Sequence, residues 1–282
     1  MEKRMLWLGL IIMVIGLCTS GALATTMGPP VAGLDTGQFG IGFDYSNTDI
    51  DIELDGKGTE HLEVSGPIFN VDDAETYKFK FDDSIESNMY LANLGYGISD
   101  KLEVDILLGM ADLSFSDSDL DGGSDFAYGF GVKATFYEEA DLKIGVLLQM
   151  IWGSSDDEFT DVEDIPESDE CIDVAGTFDI DYYQLKFAVG PSYKMSEGVS
   201  IYGGPFYYMF SGDWDVKGVG EADVLGHEVL FTAHESGDIE EDSSFGGYIG
   251  ARIDITEKLP VSVEYQFTGG GGVFGASLLY KF

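Results

Sequence analysis

The sequence predicts an all-β fold, a transmembrane antiparallel up-and-down β-barrel of about ten strands within bounds of about eight to twelve. Three observations carry this. Ten stretches alternate apolar residues with polar residues or glycine at period two, the pattern of a strand with two unlike faces. Beyond residue 24 no run approaches ~18 consecutive apolar residues, so the 44% hydrophobic content is spread as alternation and not gathered into membrane helices. The connections between the stretches alternate short and long, as they do when a sheet winds back and forth across a bilayer.

Residues 1–24 read as a secretory signal: Lys3 and Arg4, an apolar run from Leu6 to Leu17, and Ala22 and Ala24 as the small residues of a cleavage site before Thr25. The barrel domain is then 25–282. Cys18 follows Leu17, where lipid attachment needs a small residue, so cleavage is expected and lipidation is not. Cys171 remains alone after cleavage, which excludes an intrachain disulfide.

The first strand, about 38–53, sets Phe39, Ile41, Phe43 and Tyr45 against Gly40, Gly42, Asp44 and Ser46. The second, 87–98, sets Tyr90, Leu94 and Tyr96 against Asn93, Gly95 and Gly97. The third starts at Leu102 with Ile106, Leu108 and Met110 opposite Glu103 and Asp105. The fourth sets Phe126, Tyr128 and Phe130 against Gly129, Gly131 and Lys133. The fifth carries Leu142 to Trp152 outward, and the sixth Tyr183, Leu185 and Phe187 opposite Gln184 and Lys186. In the seventh, 199–210, both faces are aromatic, and the facing stays open. The eighth, from Phe245, sets Ile249, Ile253 and Ile255 against Arg252 and Asp254; the ninth sets Val261, Val263, Tyr265 and Phe267 against Ser262, Glu264 and Gln266. The tenth is 273–282. A run Tyr77-x-Phe79-x-Phe81 predicts an early start for the second strand, projecting past the membrane, and a further hairpin within 54–86 would make twelve strands.

The formal net charge of −38 excludes a nucleic-acid binder, because phosphates would be repelled. The acids are concentrated: the long connections 54–86, 116–125, 154–178 and 212–242 hold 9, 4, 10 and 10 of them, 33 of the chain's 52. With few core residues among so many charges, these read as mobile loops. The tight turns lie at 99–101, 138–141, 195–198 and 257–260. Trp152 and Trp214 at one end, with Phe136, Tyr193, Tyr280 and Phe282 at the other, are expected to form interfacial aromatic belts.

The last segment, with Phe274, Ala276, Leu278, Tyr280 and Phe282 at alternate positions and a terminal Phe, resembles the closing strand and C-terminal assembly signal of bacterial outer-membrane β-barrels, the small OmpA- and Opa-like class. That resemblance implies an outer-membrane location, a lipid surround, acidic loops facing the medium, and insertion by the cell's barrel-assembly machinery acting on Phe274, Leu278, Tyr280 and Phe282.

Inward positions then carry both charge signs: Asp44, Glu103, Asp105, Asp254 and Glu264 with Lys133, Lys143, Lys186, Arg252 and Lys281. In a narrow barrel such groups pair or stay hydrated, since an unpaired buried charge is costly. The leading expectation is a lumen plugged by ion pairs; the alternative is a narrow water-filled path that prefers cations. Asp117-x-Asp119-x-Asp121-Gly122 has the front half of a calcium loop, but Tyr128 stands where an EF-hand needs Glu. A weak Ca²⁺ or Mg²⁺ site is one reading, a solvated acidic loop the leading one; acidic runs bridging through divalent ions to lipid phosphates is a further hypothesis. No other cofactor is expected. His61, His227 and His234 lie in the long connections with no nucleophile or zinc spacing beside them, so omptin-like hydrolysis ranks third. The expected protein is a non-enzymatic member of the cell envelope; a cation-preferring channel is the alternative.

Overall fold

In a computed structural model, residues 25–66, 70–115, 121–164, 171–224, 227–241 and 245–282 are described. The expected signal, Ala22 and Ala24, and Asp117 and Asp119 lie outside them, and Asp121 is placed only by its backbone, at the start of a strand. Eleven antiparallel strands run β1 (Phe39–Ser65), β2 (Asn70–Ser99), β3 (Leu102–Phe115), β4 (Asp121–Glu139), β5 (Leu142–Asp164), β6 (Cys171–Ser196), β7 (Val199–Val224), β8 (His227–Glu241), β9 (Phe245–Thr256), β10 (Leu259–Thr268) and β11 (Gly271–Lys281).

Ten of them close a ring: β1 through β7, then β9, β10 and β11, which pairs back onto β1 from Gly40↔Lys281 to Ile50↔Gly271. Closure leaves no sheet edge in the lipid. The outward faces are those the alternation predicts: Phe39, Ile41, Tyr90, Leu94, Ile106, Phe130, Phe187, Tyr265, Leu278 and Tyr280 are exposed, while the residues between them turn inward. At β7, Tyr202, Phe206, Tyr208 and Phe210 turn inward and are at most 3% exposed. Glycines and small residues on the neighbouring strands make room for these rings, as at Gly246, where an added Cβ would meet Phe206 at 2.6 Å.

Among the described residues, the acidic connections are strand and not loop. β1, β2, β5, β6 and β7 continue beyond the membrane ring, and β8 fills the gap above the short β9–β11, pairing with β7 (Ser211↔Glu240 to Val224↔His227) and with β1 (Ile52↔Glu241 to Ser65↔Glu228). The reason is a second alternation that the charges mask. Leu54, Phe79, Phe178, Ile180, Tyr182, Trp214 and Ile239 sit on the inward face, with the acids between them directed outward. Phe79 and Trp214 meet across the interior at 5.7 Å, although β1 and β8 lie between their strands. Trp214 is therefore 7% exposed and part of the core, not of an interfacial belt. β2 starts early, at Asn70, and residues 54–65 and 70–86 extend β1 and β2 without a further hairpin; the added strand is β8, paired with the upper part of β7 above the ring, so the ring count stays even.

Candidate functional site

Two regions concentrate polar chemistry: the lower lumen and the outward face of the raised wall. The lumen is occupied by the chain itself. Residues 25–38, ahead of β1, climb from the turn end into the barrel, and wall side chains take up their backbone polar groups. Thr36 donates from its N–H and hydroxyl to Asp100 in the 99–101 turn, at 3.0 and 2.6 Å. Gly33 and Leu34 donate to one oxygen of Glu103 at 2.7 and 2.9 Å, Ala32 to the Thr135 hydroxyl at 3.0 Å, and Lys281 donates to the Gly33 carbonyl. Higher up, Met27 and Gly28 donate to the two oxygens of Glu264, at 2.6 and 2.9 Å. The Thr25 carbonyl accepts from Lys186 Nζ at 2.6 Å and from Gln266 at 2.9 Å, and its hydroxyl donates to Gln149 at 2.6 Å. Each charged contact of this kind contributes about 1.5–3 kcal/mol.

Glycines clear the path of this strap. A Cβ on Gly97 would stand 2.1 Å from the Asp35 carbonyl oxygen, and one on Gly145 would stand 2.2 Å from that of Pro30. Beside it remains a chamber of about 60 Å³, lined by Asp44, Asn93, Glu103, Asp105, Lys133 and Gln149 among others.

The predicted lumen charges divide. Lys133 pairs with Glu103 at 3.2 Å and Asp105 at 3.4 Å, and Asp44 accepts from Asn93 at 3.1 Å. Glu264 also accepts from Tyr202 and Gln266, and Lys186 lies 5.6 Å from the centre of the Tyr208 ring. Lys143 and Asp254 do not join them. Lys143 pairs with Glu138 at the 138–141 turn, where that ion pair lowers the Glu138 pKa, and Asp254 pairs with Arg252 near the 257–260 turn. Both stand too close to a turn to reach the interior. The strap itself was not predicted; two inward amides at membrane depth, Gln149 and Gln266, were the signal for it, since amides facing into a barrel demand a partner.

On the wall, cross-strand registers bring acids side by side. Asp55, Asp238, Asp213 and Asp181 occupy one row over four strands, and Asp215, Asp179 and Asp156 continue the next. Directly opposed like charges destabilise a sheet. A groove of about 520 Å³ is lined by Asp55, Asp179, Asp181, Asp213, Asp215 and Asp238, with Lys57 and Lys78. Repulsion from Asp125, with partial desolvation, raises the Asp156 pKa. Asp215 is the exception: burial opposes its ionisation, but contacts from Lys217 and His234 hold it below its usual range. His234 and Asp215 are 2.6 Å apart and His61 and Asp72 2.8 Å, both on open surface. Among the described residues no group of three or more His, Cys, Asp or Glu is disposed to hold a metal ion.

A closed antiparallel ring with an apolar outward face, its aromatic belts seen in the Tyr128–Trp152 stack (5.7 Å) at one rim and the Tyr280–Phe282 pair (5.1 Å) at the other, is a transmembrane β-barrel. Residues 141–282, half of the chain, match the model of the outer membrane protein beta-barrel domain, and the chain belongs to that family. It is a protein of the cell outer membrane. No curated protein sequence matches it. Solved structures similar to it include the outer membrane protease OmpT of Escherichia coli (10% identity, 93% of this chain and 99% of that one, TM-score 0.38). Others are an outer membrane channel of Pseudomonas putida F1 (13%, 92% and 100%, 0.39) and the attachment invasion locus protein Ail of Yersinia pestis (14%, 83% and 99%, 0.23). At these scores none of them bears on what this chain does.

Proposed function

We propose that this is a non-enzymatic envelope protein whose barrel is a closed anchor and whose working surface is the raised acidic wall. The observation that supports it is the strap: residues 25–34 fill the lower lumen and are bonded to Glu103, Glu264, Lys186 and Gln266, groups that would otherwise line a hydrated path. The wall presents its carboxylates outward to the medium, held by an apolar interior. Neither His–carboxylate pair favours hydrolysis, since both stand in open solvent and Lys217 shares Asp215.

Planar-bilayer recording of the refolded protein tests this reading, with and without calcium. A verified folded barrel should give no discrete steps. The second reading, a narrow cation-preferring path, draws on the carboxylates around the residual chamber. Discrete cation-selective steps would replace the first reading with it, and calcium block would tie the acidic wall to conduction.

A further inference from the structure

We propose that the lower lumen is a binding site for an extended peptide terminus, filled in cis by residues 25–34, and that cutting the chain before Thr25 completes it by delivering an α-ammonium to Gln184. The strap climbs: Glu103, which holds Gly33 and Leu34, stands next to the turn, whereas Lys186, which holds Thr25, lies far up β6. The amino side of Thr25 therefore points toward the next hydrogen-bonded row, made of Ile151, Gln184 and Phe210. Gln184 is 2% exposed, and among the described residues neither its Oε1 nor its Nε2 has a hydrogen-bond partner. It shares the inward face of β6 with Lys186, two residues away. A buried amide with both ends unpaired is destabilising, and native interiors seldom keep one without a reason.

The cut supplies the partner. A signal-cleaving peptidase adds water across the Ala24–Thr25 amide, leaving a carboxylate on Ala24 and an ammonium on Thr25. A backbone amide in an uncut chain has one N–H; the ammonium has three donors and a charge. One of them satisfies Gln184 Oε1. The charge enters a cluster that holds Lys186, whose Nζ donates to the Thr25 carbonyl, and Glu264, whose carboxylate accepts from Gln266 at 2.6 Å and offsets the two cations. Processing thus completes a site that residues 25–34 already fill, and the site selects a free, unmodified amino terminus.

The inference rests on the occupied lumen and not on silence in a bilayer, so a conducting barrel and a reactive terminus are separate failures. Protein taken from the outer membrane is analysed by intact mass, then treated with a succinimidyl reagent, folded and urea-unfolded, and the modified sites are read by peptide mass spectrometry. The chain should begin at Thr25, and its α-amino group should react at least about tenfold more slowly when folded, the protection that even a modest local opening equilibrium gives. Lys101, exposed in its turn, reports equal reagent access. Gln184→Leu should bring the folded rate close to the unfolded one while the barrel still migrates as a compact species. A chain beginning elsewhere, a terminus equally reactive in both states, or a folded Gln184→Leu barrel with full protection overturns the proposal. Where that variant does not fold, the natural protein's rates decide.

Discussion

Glu264 on β10 accepts the backbone N–H groups of both Met27 and Gly28, 2.6 and 2.9 Å away, across 237 and 236 residues of chain. A carboxylate on a strand thereby closes on a segment that belongs to no strand. Glu264→Ala would leave both donors buried without a partner, at a cost of about 1–3 kcal/mol each. The urea midpoint of refolded protein should fall accordingly. An unchanged midpoint would mean the strap does not contribute to stability.

Gly145 tests the strap from the other side. A Cβ there meets the Pro30 oxygen at 2.2 Å and the Ala134 oxygen at 2.7 Å. Gly145→Val should expel the strap. In a Cys171→Ser background, a Met27→Cys thiol should then react with maleimide at least about tenfold faster than with Gly145 present, as expected when a closed local state opens. Equal rates would show that the strap tolerates the side chain.

An aromatic contact between Trp214 and Phe79 ties the wall together across its interior. Trp214→Ala removes the ring that meets Phe79 and should cost the wall about 3–5 kcal/mol. Limited proteolysis in lipid vesicles should then cut within the upper parts of β1, β2, β7 and β8, while the membrane ring survives. Protection equal to that of the natural protein would show that the ladders alone hold the wall.

Acidity should strengthen the same wall at the Asp125–Asp156 pair. The folded pKa of Asp156 is raised above the ordinary 3.8, first by Asp125. Between the two values the folded state binds more protons than the unfolded, so stability falls as pH rises through the raised value. Asp125→Asn keeps an acceptor for the Asp156 N–H and removes the repulsion. It should flatten the rise in protease resistance on acidification, and an unchanged pH profile would exclude this pair as the source.

Phe282 donates its N–H to the Phe39 carbonyl at 3.0 Å, joining the terminal residue to the first strand. Deleting Phe282 should lower the yield of heat-modifiable barrel in the outer membrane. An unchanged yield would remove the terminal residue from the assembly signal.

The membrane ring was legible in the sequence because lipid outside and polar groups inside impose a two-residue period with high contrast, as from Phe126 to Phe136. Above the membrane that contrast disappears, since both water and an apolar interior surround the wall, and the runs Phe178-x-Ile180-x-Tyr182 and Trp214-x-Val216 are diluted by acids. Composition therefore read as loop where register made strand. β7 was ambiguous because Tyr202 to Phe210 carries aromatics on both faces, and only packing against Gly246 and its neighbours chose one.

What the sequence determined by itself was the alternation, and with it the ring, its lipid face and the inward placement of Glu103, Lys133, Lys186 and Glu264. What only the tertiary structure decided was how those groups are satisfied. Lys133 takes Glu103 and Asp105 from the neighbouring strand, but Glu103, Glu264 and Lys186 take the backbone of residues 25–34. A short segment of Thr, Gly, Pro and Val carries no periodicity to announce such a role. Its partners lie up to 248 residues away, and ring closure alone brings them within hydrogen-bond reach.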